Sequence, residues 1–198
     1  MGTVLFLQGG GLPPREGVGA LVVGQDWPDH ELRLPHLTDE WLAQPFTEQL
    51  VEVKTWLEDA VACVGTGWGA WLLICALVER EKEGLSLPIA LCCSSFFRKG
   101  CFTGQQGVAY QLPRSQEIQE AMGLGKGRAV LAEAEIRFVH GRRDTLAPVE
   151  ELRGLEARFS VQIVESGHLL KGAGERAVAQ ELKRLRARLG HRRRSSRS

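Results

Sequence analysis

A chain of 198 residues with 43% apolar side chains is long enough for one well-buried domain and short for two. Its formal net charge of +1 hides an asymmetry: residues 183–198 carry eight Lys or Arg (Lys183, Arg184, Arg186, Arg188, Arg192, Arg193, Arg194 and Arg197) and no acid, leaving about −7 for the rest. An acidic body with a basic end excludes a general nucleic-acid binder; only the tail, residues 191–198, retains that option, and it reads as a disordered, solvated extension. Five cysteines, with Cys92 and Cys93 adjacent in an apolar run, fit neither a disulfide framework nor a C-x-x-C metal site. They read as buried thiols of a reducing compartment. The apolar run at 4–7 is too short for a signal peptide, and Phe6 stands where a myristoylation signal has Ser or Thr. The expectation is a cytoplasmic protein with no cofactor or metal.

In chain order, residues 4–7 (VLFL) form a continuous apolar run, as in a strand buried on both faces. Gln8-Gly9-Gly10-Gly11 and then Pro13 and Pro14 place a loop at its end. Residues 18–23 favour a short helix. Residues 31–34 alternate and stop at Pro35, which suggests a strand. Phe46, Leu50, Val53 and Trp56 or Leu57 recur at helical spacing, with Pro45 near the first turn. Residues 87–93 (LPIALCC) are the next buried strand, followed by Ser94-Ser95-Phe96-Phe97. Residues 98–130 show no clean period apart from a mixed helix at 115–122; about 96–130 is expected to form a lid or insertion. Its Gly123-Leu124-Gly125-Lys126-Gly127-Arg128 lacks the preceding strand and the Ser or Thr after Lys that a phosphate loop requires. Residues 136–139 read as a strand leading into HGRRDTLAP. A helix carrying Val149, Leu152, Leu155 and Phe159 comes next, then a last strand at 161–164 leading into ESGHLL. A closing helix at about 175–189 buries Val178, Leu182, Leu185 and Leu189. Strands alternating with helices predict an α/β domain over 1–190, a mostly parallel central sheet with helices on both faces.

The stretch on which these elements converge is residues 61–78, VACVGTGWGAWLLICALV, eighteen residues without a charge. Its length raises a membrane span. Gly65, Gly67 and Gly69 argue against one, since each glycine costs a helix about 1 kcal/mol. They divide the stretch into a strand (61–64), a tight turn and a buried helix (about 68–80). Strand, G-x-N-x-G turn and helix together make a nucleophile elbow, where N is the attacking residue. Here the frame is Gly65-Thr66-Gly67-Trp68-Gly69, and the apex residue, Gly67, has no side chain.

LFLQGGG, VGTGWGA, HGRRDTLAP and VESGHLL occur in the order oxyanion loop, elbow, acid, histidine. In that order they resemble the α/β-hydrolases, specifically the small serine hydrolases with short lids, over nearly the whole chain. The resemblance implies Asp144 as the orienting carboxylate and His168 as the general base. It also implies oxyanion donors at the backbone N–H of Trp68 and of Gly9 or Gly10, with Gln8 where His is usual. Phe96, Phe97 and Trp68 are candidate apolar walls of the pocket. Gly67 departs from the pattern. Loss of the nucleophile in such a triad costs on the order of 10⁶ in turnover, roughly 8 kcal/mol of barrier. The expectation is a pseudoenzyme or weakly active protein that binds a small ester- or acid-like ligand. The alternative is a working ester hydrolase, with the nucleophile relocated to Ser94, Ser95 or Cys93 or with a serine replaced at position 67.

Overall fold

The computed structural model describes residues 2–9, 13–28, 30–96, 101–103, 109–124, 130–131 and 133–195. In chain order the elements are β1 (Gly2–Gln8), α1 (Val18–Val23), β2 (His30–Arg33), α2 (Asp39–Leu42), α3 (Phe46–Trp56), β3 (Ala60–Thr66), α4 (Gly67–Lys82), β4 (Ile89–Cys93), β5 (Cys101–Thr103), β6 (Ala109–Gln111), α5 (Ser115–Ala121), β7 (Ile136–Gly141), β8 (Ser160–Val164) and α6 (Ala173–Ser195). Six strands form one sheet in the order β2-β1-β3-β4-β7-β8, and every pairing in it is parallel. The C-terminal ends of β1, β3 and β4 are in register, Leu7 with Gly65 and Gly65 with Cys92. The loops after these strands therefore open at one edge, where ligands of open α/β sheets bind.

The two faces of the sheet divide the core by the period of two of a strand. Leu5 and Leu7 of β1, with Cys63, Ala90 and Cys92, pack against α3 and α4. Val4 and Phe6, with Val64, Leu91 and Cys93, pack against α1 and the buried Val178, Leu182, Leu185 and Leu189 of α6. Each fully buried side chain of this size contributes about 1.5–3 kcal/mol relative to exposure. Helix α4 is enclosed by β1, β3, β4, α3 and α5, which explains why its apolar residues run all round the helix rather than along one stripe. Among the described residues no helix is long and apolar enough to cross a membrane.

Several expected elements differ in extent or kind. The helix expected to carry Val149, Leu152, Leu155 and Phe159 is instead two short 3₁₀ turns, Val149–Leu152 and Leu155–Ala157, separated by Gly154 at φ 97°. Leu152 and Leu155, one in each turn, remain buried, as does Phe159 just beyond the second turn. Helix α2 (Asp39–Leu42), for which no element was expected, is capped by Thr38, whose hydroxyl accepts the Trp41 N–H. Within the expected insertion, β5 and β6 form an antiparallel pair. Residues 97–100, 104–108 and 125–129, including Phe97 and most of the glycine run after 123, lie outside the described residues. The closing helix continues past Leu189 to Ser195, so residues 191–195, expected in a frayed tail, have helical backbone; His191 and the arginines after it are adequate helix formers.

Close approach of α4 to the sheet depends on glycine. A Cβ at Gly69 would lie 2.3 Å from the Leu7 carbonyl oxygen. Gly69→Ala is therefore expected to cost about 3 kcal/mol, since backbone must move to admit it. Gly190→Ala, with nothing within 4 Å on exposed α6, is expected to stabilise by about 0.5–1 kcal/mol. Urea denaturation of both variants checks the pair, which should move in opposite directions.

Candidate active site

The bend between β3 and α4 places Gly67 at φ 49°, the left-handed region that costs an L side chain roughly 1–2 kcal/mol. Thr66, just before the apex, turns away from the site: its Oγ1 and its carbonyl both accept the Gly9 N–H, at 3.2 and 3.1 Å. That pair of bonds corrects one expectation. The Gly9 N–H is spent on stitching β1 to the elbow and cannot serve as an oxyanion donor. Gly10, the other candidate, lies outside the described residues. Trp68 sits in the first turn of α4, so its backbone N–H precedes the i→i−4 ladder of the helix, at the end where the dipole favours an anion. Its indole faces away from the site: Nε1 donates to Gln49 Oε1 at 3.0 Å, and the ring packs edge-on against Phe46 at 6.3 Å between centroids. Trp68 is thus a core residue rather than a pocket wall.

Two loops bring an acid and an imidazole to this bend. Asp144 follows β7, with its side chain fully buried. Its Oδ1 accepts the N–H groups of Leu146 (3.0 Å) and Ala147 (2.9 Å), which fixes the carboxylate by its own turn. Its Oδ2 accepts the Nδ1–H of His168, from the loop after β8, at 2.8 Å. Burial pushes the Asp144 carboxyl up. The hydrogen bond and charge of His168, the Ala147 N–H and the nearby His140 outweigh burial, and the net direction is below the ordinary value. With Nδ1 donating to Asp144, neutral His168 carries its lone pair on Nε2. Nε2 points at the bend: a Cβ built on Gly67 would lie 3.4 Å from it and 3.8 Å from the ring of Phe96. Phe96 itself lies against the imidazole, 5.6 Å between centroids at 33°. The structure therefore brings Gly67, Asp144 and His168 together, with Phe96 as a wall.

The relocated nucleophiles do not meet the imidazole nitrogen. Ser94, in a left-handed conformation at φ 48°, donates its hydroxyl to the main-chain oxygen of His168 at 2.7 Å and so holds the histidine loop. Ser95 is buried, with its hydroxyl beside the Cys92 thiol. The Cys93 side chain belongs to the opposite apolar layer, among Val139, Leu170 and Val178, and burial pushes its thiol far above the range in which a thiolate forms. Burial likewise lifts Cys92 to about 12, and Cys63, Cys75, Cys92 and Cys93 are free and buried. Among the described residues no group of three or more His, Cys, Asp and Glu is arranged to hold a metal ion.

Sequence reasoning left His140 without a role, although His-Gly-x-x-Asp already spaces it one helical-type turn from the acid. It is buried at the end of β7, donates Nε2–H to the Ala147 carbonyl at 2.6 Å, and lies 3.8 Å from Asp144 Oδ2. It braces the turn that presents Asp144. Burial holds its imidazole below the ordinary value, against the raising effects of the Ala147 carbonyl and of Asp144.

No protein-family model matches the chain, and no curated protein matches it by sequence. By structure it is similar to alpha/beta hydrolase domain-containing protein 10 from mouse, at 13% identity over 94% of this chain and 90% of that one, with TM-score 0.61. A lipolytic enzyme of the metagenome-derived pair LipS and LipT matches at 14% identity over 93% of each chain, with TM-score 0.64. A meta-cleavage product hydrolase from Pseudomonas fluorescens IP01 matches at 12% identity over 93% of this chain and 90% of that one, with TM-score 0.63. Together with the six-stranded parallel sheet, these likenesses establish the fold: the chain has the α/β-hydrolase fold.

The depressed His140 predicts a pH effect on stability. Below about pH 6.5 the unfolded chain binds a proton at this histidine that the folded chain does not, so stability falls as pH drops through that window towards the lower folded value. Asp144, also depressed, contributes stability that is present above its unfolded value and lost only in a separate window below about pH 4. Urea denaturation at about pH 7.5 and about pH 5.5 should show a smaller loss on acidification in His140→Leu than in the unmodified protein.

Proposed function

We propose that this protein is a hydrolase-fold pseudoenzyme, at most weakly active. It binds a small ester- or acid-like ligand at the bend, with His168 and Asp144 in the places of general base and orienting carboxylate. The observation that carries the proposal is the distance from His168 Nε2 to the position where a Gly67 side chain would begin, 3.4 Å, an ordinary van der Waals contact. A serine there needs no rearrangement of the imidazole. The couple behind it has the tautomer that proton abstraction requires, because Asp144 accepts from Nδ1. The Trp68 N–H, at the start of α4, is the oxyanion donor on this reading. Without a side chain at 67 there is no covalent acyl intermediate. A water activated by His168 is the remaining route to hydrolysis, and oxyanion stabilisation with binding supports about 10³ to 10⁴ over water. The likeness to a lipolytic enzyme supports an ester-like ligand, and the wall formed by Phe96 favours a short apolar acyl group.

Introducing the missing atom is the test. Gly67→Ser is expected to raise p-nitrophenyl butyrate hydrolysis by about 10³-fold or more, at about 1–2 kcal/mol of stability for a side chain at φ 49°. A variant no faster than the parent would overturn the reading. The relocated-nucleophile alternative is tested by Ser94→Ala in the unmodified protein. Residual activity is expected to change by less than about tenfold, whereas loss of a true nucleophile removes on the order of 10⁶.

A further inference from the structure

The central sheet ends in two outer strands, β2 and β8, and the chain treats them differently. β2 is short and lies between Pro28 and Pro35, and His30, Glu31 and Arg33 make up most of it. Brevity, proline and charge are the devices by which proteins keep an edge strand from pairing with another chain. β8 has neither charge nor proline: its sequence is SVQIV. Its register with β7 runs unbroken from Arg137 with Ser160 to Gly141 with Val164. Val161, Gln162, Ile163 and Val164 are half-buried rather than covered.

The hydrogen bonds show which main-chain groups of β8 are open. In a parallel ladder the N–H and C=O of one residue point to the same side, and the side alternates along the strand. The Val164 carbonyl accepts the Arg142 N–H at 2.8 Å, so Ser160, Gln162 and Val164 face β7 while Val161 and Ile163 face outward. Just beyond them the Phe159 N–H donates to the Leu155 carbonyl at 2.8 Å, and the Glu165 carbonyl accepts from Arg143 Nη2 at 3.3 Å. Among the described residues nothing bonds to the outward groups of Val161 and Ile163. We propose that this open edge is a dimer interface, in which β8 pairs antiparallel with β8 of a second copy across a twofold axis. One register uses every open group. It sets Val161 opposite Ile163 of the second copy, each such pair exchanging both N–H···O bonds, with Gln162 facing its own counterpart on the axis. A one-residue slip sets the open groups against residues that face β7. A two-residue slip sets Val161 against Glu165 or Ile163 against Phe159, where a group is already spent. Self-complementarity singles out a second copy as the occupant: the open groups are symmetric about Gln162, and the strand carries no charge to repel itself. The pairing also brings Val161 and Ile163 together on one face of the sheet, an apolar cross-strand contact made twice. The inference is independent of the reading of His168 as a base.

Sedimentation velocity on the full chain across a micromolar concentration series should show a reversible monomer–dimer equilibrium. Gln162→Lys and Gln162→Glu each set like charges opposite one another on the axis, and each should weaken the dimer by about fivefold or more. Mixing the two variants makes the central pair opposite in charge and should restore a dimer with one copy of each. Far-UV circular dichroism checks that both variants are folded. Gln162→Cys tests the register itself, because antiparallel pairs of this kind hold their Cα atoms about 4.5 Å apart, within the span of a disulfide. Mild oxidation should cross-link that variant into a dimer and leave the unmodified protein, treated in the same way, without the link. A chain that stays monomeric throughout the series overturns the proposal. So does a dimer that the charged variants leave unchanged, that their mixture does not restore, or that Gln162→Cys does not cross-link.

Discussion

The N-terminal turn of helix α4 lies so close to β1 and β3 that no Cβ fits at Gly9, Gly65 or Gly69, and the site depends on that approach. A Cβ at Gly69 would strike the Leu7 carbonyl at 2.3 Å, one at Gly65 would strike Ala70 Cα at 2.7 Å, and one at Gly9 would strike the Trp68 nitrogen at 2.5 Å. Three backbone segments are thus packed at contact distance, and the chain passes from β3 into α4 through a left-handed bend at Gly67. Dispersion and burial around α4, enclosed on all sides by the core, hold that geometry. The N-terminus of α4 is thereby delivered to the edge of the sheet where the loops after β7 and β8 arrive.

Those loops are held by polar contacts rather than by packing alone. The buried carboxylate of Asp144 has four acceptor directions, and two amides and one imidazole N–H occupy three of them. Unpaired, a charge in that position would cost several kcal/mol, so the couple stabilises the loops as well as orienting the imidazole. His140 and Ser94 extend the support, one through the Ala147 carbonyl and the other through the His168 carbonyl. This shell of contacts surrounds an apex without a side chain. The stability argument for the couple is independent of catalysis, and a protein that binds without turning over keeps the same reason to retain it.

Much of this was legible in the chain because the informative residues are those whose backbone or burial is extreme. The run at 4–7 alternates Val4 and Phe6 on one face with Leu5 and Leu7 on the other, and a doubly buried strand has no other signature. Gly65, Gly67 and Gly69 announce the bend, because only close contact and positive φ demand glycine at that spacing. Asp144 and His168 were reached through the order of four motifs, and the 2.8 Å contact between them is consistent with that order. Side-chain direction was not legible. Gly9 and Ser94 stand beside the site in sequence, yet their donors are consumed by Thr66 and by the His168 carbonyl. Trp68 follows the apex but turns to Gln49. Short elements were also hidden: the β5–β6 pair is three residues per strand, too brief for a period to register, and the three-residue step from Leu152 to Leu155 occurs in 3₁₀ as well as α-helical segments.

The central proposal is that this bend sets the acid and base of a serine hydrolase beside a position that lacks the nucleophile's side chain. A fluorophosphonate reports that directly, because it phosphonylates a serine only where a base and an oxyanion site act on it together. Intact-mass analysis after exposure should show one adduct, mapped to residue 67, on Gly67→Ser and none on the unmodified protein. An unreactive Gly67→Ser, or an adduct on the unmodified chain at Ser94 or Ser95, would contradict the account.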